Sequence, residues 1–136
     1  MAVTSPLSIV ARSALQLRDV GPATVNDLSR SLEISRTSVE NAVTVLAESG
    51  LIVDAPAQNG GGAGRPARRY SFHGAAGTVV GVDIGVASVR VVLADLSGLV
   101  IAQRSYSGVA AQPDGASKLA AVIDDVRRTL SAVSIP

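Results

Sequence analysis

Residues 28–52 read LSRSLEISRTSVENAVTVLAESGLI, and their pattern decides the fold of the first half of the chain. Val39, Ala42, Val43 and Leu46 recur at helical spacing and predict a helix with one buried face. Ser35 or Thr37 can cap its start, and Thr37 with Glu40 has the spacing of a capping box. Gly50 follows the last apolar residues, where a helix commonly ends in the left-handed conformation. Just upstream, TVNDLSRSLEI opens at Thr24, which with Asp27 again has capping-box spacing. Val25, Leu28 and Leu32 form the stripe of a short helix of about two turns. A short helix, a tight turn at Glu33-Ile34-Ser35 and a longer helix are the core of a helix-turn-helix.

Working outward, SPLSIVARSALQLRDVGP (residues 5–22) predicts another helix. Ser5 is its expected cap and Pro6 its first residue, where a missing N–H costs nothing. Leu7, Val10, Ala14 and Leu17 share a face, and Gly21-Pro22 ends it. Downstream, LIVD (51–54) and ARRYSF (67–72) read as strands joined by a glycine-rich loop. Residues 1–73 are therefore expected to form a winged helix-turn-helix: three helices and a β-hairpin wing.

The second half changes texture. TVVGVDIG, SVRVVLADLSG and LVIAQRSYSG are β-rich runs bounded by glycine. Val89, Val91 and Leu93 alternate with Arg90, Val92 and Ala94, and Asp95 to Gly98 suits a hairpin turn. In PDGASKLAAVIDDVRRTLSAV, the residues Leu119, Val122, Ile123, Val126 and Leu130 fall on one helical face. Asp124, Asp125, Arg127 and Arg128 are expected on the other. The fold class is α+β. Residues 74–78 are expected to be a linker, and residues 79–136 an incomplete βββα unit. One helix covers only one face of such a sheet, so apolar surface stays exposed unless another copy covers it.

Composition excludes several classes. The 136 residues hold no cysteine, which rules out disulfides and thiolate metal sites. His73 is the only histidine, so no metal site is expected. Net charge is +1, so charge placement matters more than charge sum. Between Ala55 and Val82, Arg65, Arg68 and Arg69 stand with no acidic residue among them, an uncompensated basic cluster. No apolar run reaches the roughly 18 residues of a membrane span. The start, MAVTSPLSIVAR, has no cationic segment before its apolar residues, so no secretory signal is expected. The expected location is the cytoplasm, with no membrane contact.

These halves in this order resemble the transcriptional regulators of the ROK family (repressors, open reading frames and sugar kinases). LSRSLEISRTSVENAVTVLAESGLI is similar to the family's helix-turn-helix, and GRPARRYSF to its wing. VVGVDIGVASVRVVLADLSGLVI is similar to the opening hairpin of its actin-like (ribonuclease H-like) sugar-kinase domain. The resemblance implies a repressor of carbohydrate-related genes. In the family the actin-like part runs on well past this length. The segments that bind sugar, and a histidine/cysteine zinc site, would lie beyond Pro136 and fall on no residue here. The chain is thus expected to be a fragment, a truncated product or a degenerate relative, with a sugar effector only if the remaining part exists.

The expected partner is duplex DNA, an inverted-repeat operator bound by a homodimer. The helix at 36–49 would enter the major groove. Thr37, Asn41 and Arg36 are the candidate base readers, since asparagine matches adenine N6 and N7 and arginine matches guanine O6 and N7. Ser35, Ser38 and Thr24 are candidate phosphate contacts through hydroxyls and helix N-termini. Gly64-Arg65-Pro66 is an extended element, because proline holds the residue before it out of the helical region. Such an arginine suits a narrow minor groove, and Arg68 suits phosphate.

Two other classes compete. A winged fold can be a protein-interaction module, and the second half could be a catalytically dead sugar- or nucleotide-binding remnant. Actin-like kinases hold ATP with an Asp-x-Gly-Gly-Thr-Lys turn. Here residues 83–88 read DIGVAS. Asp83 and Gly85 match, but Val86, Ala87 and Ser88 replace the second glycine, the hydroxyl and the cation. A β-branched valine blocks close backbone approach to phosphate. No enzymatic activity and no cofactor are expected.

Overall fold

The structure is a computed structural model that describes residues 7–57 and 67–133. It divides into two compact units, Met1–His73 and Gly74–Pro136.

In the first unit, α1 spans Ile9–Val20. Ser8 caps it, its hydroxyl accepting from the Ala11 N–H at 3.2 Å. Ser5 and Pro6, expected at that end, lie outside the described residues. Leu7 precedes the helix and is exposed, so the buried stripe begins at Val10 and runs through Ala14 to Leu17. Gly21, at φ 107°, ends α1 in a conformation that side chains other than glycine's rarely allow.

A two-residue strand, β1 (Ala23–Thr24), leads into α2 (Val25–Leu32). The capping box forms as the spacing predicts: Asp27 N–H donates to Thr24 Oγ1 at 3.1 Å, and Thr24 N–H donates to Asp27 Oδ2 at 3.0 Å. α3 spans Arg36–Glu48 and is capped by Ser35, which accepts from the Ser38 N–H at 3.2 Å. Of the two caps considered, Ser35 is the one used, and Thr37 sits inside the helix. Leu17, Leu28, Val39, Val43, Leu46 and Ile52 form the core, with Tyr70 and Phe72 packed against it.

Strands β2 (Ile52–Ala55) and β3 (Arg69–Phe72) are antiparallel, and β1 pairs with the other side of β3, giving the order β1-β3-β2. Leu51 precedes β2: its N–H closes the end of α3 on the Leu46 carbonyl at 3.0 Å, while its carbonyl accepts from the His73 N–H at 2.9 Å.

The second unit is an antiparallel sheet of β4 (Thr78–Ile84), β5 (Ser88–Asp95) and β6 (Val100–Ser107) in that order, followed by α4 (Gly115–Ser131). Val89, Val91 and Leu93 are fully buried, as their alternation predicts. Asp95 Oδ1 accepts from the N–H groups of Ser97 and Leu99 at 2.8 and 2.9 Å, which closes the β5–β6 turn. Residues 74–78, expected as a linker, are not a free tether. Gly74–Ala76 is a 3-10 turn, the Gly74 carbonyl accepts from Leu96 N–H at 3.0 Å, and Thr78 already belongs to β4.

The predicted face of α4 is corrected. Leu119 and Ile123 are exposed, whereas Asp125 and Thr129 are 3% and 0% exposed. Polar bonds set this rotation. Tyr106 of β6 is bonded to Thr129 Oγ1 at 2.8 Å, and Thr129 donates to the Asp125 carbonyl at 2.8 Å. The Asp125 carboxylate pairs with Arg128, whose guanidinium lies 5.0 Å from the Tyr106 ring centre. α4 therefore lies over β5 and β6. Val80, Val82 and Ile84 pair with Leu93, Val91 and Val89, so they share that face, yet they remain exposed on an edge strand.

Two outcomes follow from these contacts. Thr24→Ala should loosen α2 by about 1 kcal/mol at pH 7, the usual worth of such a cap, read from hydrogen exchange of the α2 amides. The Thr24 hydroxyl, then its N–H, hold the Asp27 carboxyl below its ordinary 3.8. A depressed folded-state pKa stabilises above the ordinary value and is lost as pH falls through the folded one. The penalty should therefore shrink below about pH 3.8, and a pH-independent penalty would contradict the box. Val82→Lys should lower light scattering on heating, because a charge on an apolar edge strand opposes edge-to-edge pairing. Unchanged scattering would contradict that role of the edge.

Candidate nucleic-acid interface

The buried face of α3 turns Arg36, Thr37, Glu40, Asn41 and Thr44 outward. Of the three expected readers, Arg36 and Thr37 lie in the first turn and Asn41 one turn on from Thr37, all exposed. Arg36 Nε donates to Glu40 Oε1 at 2.8 Å. Arginine and glutamate four residues apart on a helix are spaced for such a pair, a signal already present in the sequence.

The expected phosphate residues stand at the starts of α2 and α3. Ser35 Oγ caps Ser38 N–H and lies 2.8 Å from Ser38 Oγ, so the two hydroxyls serve each other. Thr24 Oγ1 both accepts from Asp27 N–H and donates to Asp27 Oδ2, at 3.1 and 2.7 Å. These three side chains are committed to starting helices.

The turn between α2 and α3 sets how α3 is presented. Glu33 takes φ 56°, the left-handed region, alone among the described non-glycine residues. Ser29 stitches the turn: its carbonyl accepts from Ile34 N–H at 3.1 Å and its hydroxyl donates to the Ile34 carbonyl at 2.6 Å. Arg12 of α1 donates to the Leu32 carbonyl at 2.9 Å, satisfying the end of α2 from outside.

Gly64, Arg65 and Pro66 lie outside the described residues. Arg68 donates through Nε and Nη2 to the two oxygens of Asp54, at 2.6 and 2.8 Å, and its guanidinium lies 5.4 Å from the Tyr70 ring centre. That hydrogen-bonded cation holds the Asp54 carboxyl below the usual carboxylate range. The basic cluster read as uncompensated is thus partly neutralised by an acid just outside its window. The register that pairs Asp54 with Tyr70 brings the two together, although they stand 14 residues apart in the sequence. Arg69 donates to the Pro22 carbonyl at 2.6 Å, tying β3 to the end of α1. His73 places Nδ1 3.1 Å from the Gly50 carbonyl, a tie to the end of α3.

In the second unit, Asp83 stands opposite Arg90 and is exposed. Gly85 N–H donates to the Ser88 carbonyl at 2.9 Å, and Val86 at the tip is 94% exposed. A valine side chain, rather than open backbone, occupies the crest of the turn. No group of three or more metal-ligating side chains occurs among the described residues, and no helix among them is long and apolar enough to cross a membrane.

The architecture is a three-helix, three-strand unit with a polar helix face outward, followed by a β-sheet unit with one covering helix. It is similar to the crystal structure of a ROK family transcriptional regulator described as a homologue of the E. coli MLC protein, with a TM-score of 0.71 and 20% sequence identity. The likeness covers 90% of this chain and 31% of that one, so the chain spans about a third of that regulator's length. At this identity the likeness is one of fold. No protein-family model and no curated protein matches the chain.

Glu33→Gly should stabilise the α2–α3 turn by about 0.5–1 kcal/mol, since glycine removes the left-handed penalty and gives back part of it as unfolded-chain entropy. A rise in the thermal midpoint checks this, and a fall would contradict it.

Proposed function

We propose that the chain is a sequence-specific DNA-binding transcriptional regulator of the ROK type. α2, the Glu33 turn and α3 serve as the helix-turn-helix, and β2 and β3 as its wing. The observation that carries this reading is the outward face of α3, where Arg36, Thr37 and Asn41 cluster at the N-terminal end that enters a major groove in such folds. Asn41 reads adenine and Arg36 guanine. With the hydroxyls of Thr24, Ser35 and Ser38 engaged, phosphate contacts at α2 and α3 come from backbone N–H groups at the helix starts. Arg65, between Gly64 and Pro66, reaches the minor groove, while Arg68 contributes less because Asp54 offsets its charge.

A homodimer reading an inverted repeat is the expected assembly, acting in the cytoplasm. Repression of carbohydrate-related genes follows by analogy with ROK regulators. The second unit is assigned no catalysis: Val86, Ala87 and Ser88 stand where a phosphate-holding turn needs glycine, a hydroxyl and a cation.

Selection from a random duplex pool tests the reading. The chain should enrich an inverted repeat with A·T-rich flanks, and Arg65→Ala should lose the flanks. Asn41→Ala should cost about 1–3 kcal/mol at one adenine position. Affinity should fall steeply with salt. A folded chain that enriches no motif would refute the proposal.

A further inference from the structure

We infer that Glu40 makes Arg36 a guanine reader rather than a phosphate clamp, an inference that rests on the DNA-binding reading above. The pair is out of place as a helix stabiliser. Arg36 is the first residue of α3, where a cation opposes the helix dipole. An arginine placed N-terminal to its glutamate partner is also the poorer order of the two. Both groups are well exposed, 65% for Arg36 and 46% for Glu40, so the pair adds little stability. Its geometry does something else.

A guanidinium presents two forked edges. Among the described residues Arg36 bonds through Nε alone, to one oxygen of Glu40. That bond orients the plane and leaves the Nη1/Nη2 edge for a two-donor contact with O6 and N7 of guanine. Arg68 in the same unit is held differently. It engages its whole Nε/Nη2 edge with both oxygens of Asp54, a two-point tie where Arg36 makes a single one. The Glu40 charge has a second effect. Beside Arg36 it cancels the attraction for phosphate that any arginine would otherwise feel, so affinity for arbitrary duplex is lowered while the oriented edge keeps its preference for one base. Glu40 is therefore a positioning residue, and it trades general affinity for discrimination.

The test uses the full chain and variants Arg36→Ala, Glu40→Ala and Glu40→Gln, on the duplex that the unsubstituted chain selects from a random pool. Each base pair of that duplex is varied in competition binding. Arg36→Ala should erase the preference at one G·C position. Glu40→Ala should lower the preference at that same position roughly tenfold and tighten binding to an unrelated duplex. Glu40→Gln keeps an acceptor without the charge, so it should tighten unrelated binding and retain part of the guanine preference. Glu40→Ala leaving that preference within about twofold, or weakening every position alike, would overturn the inference while leaving DNA reading intact. If the unsubstituted chain selects no duplex, DNA reading fails and this inference fails with it.

Discussion

The first unit depends on the burial of one side of α3. Val39, Val43 and Leu46 pack with Leu17 and Leu28 into a core that has no room for rotation of the helix. Once that side is fixed, the opposite side is fixed too, and Arg36, Thr37 and Asn41 face outward as a consequence of apolar packing. The devices at the helix ends serve the same constraint. The Thr24–Asp27 box and the Ser35 cap satisfy N–H groups at the starts of α2 and α3, and Arg12 satisfies a carbonyl at the end of α2. Each leaves the tight turn able to hold two helices at a defined angle.

The second unit shows a different balance. Its strand alternation puts Val89, Val91 and Leu93 on one face, which Val122 of α4 helps to cover, but the position of α4 is decided by polar contacts around Tyr106, Thr129, Asp125 and Arg128. They pull the helix toward β6. Leu119, Ile123 and the β4 residues Val80, Val82 and Ile84 then stay exposed.

Much of this was legible in the sequence for identifiable reasons. Capping boxes are local, so Thr24–Asp27 could be read directly. The alternation of β5 and the stripe of α3 are repeating patterns that a single rotation satisfies. What was hidden depends on partners distant in sequence. β1 is two residues long and exists only through β3. Asp125 and Thr129 look like surface residues until Tyr106, from another strand, meets them. Arg68 looks like a free cation until the β2–β3 register brings Asp54 beside it. Among the candidate contacts, Thr24, Ser35 and Ser38 stand at helix starts, and their hydroxyls are engaged by the caps themselves.

The proposed function requires the outward face of α3 to meet DNA. Amide chemical shifts, followed by NMR as a selected duplex is added to the chain, report that contact residue by residue. The largest changes are expected at Arg36, Thr37, Glu40 and Asn41, with the Glu33 turn changing beside them. Changes absent from α3, or confined to β4, β5, β6 and α4, would contradict the proposed function.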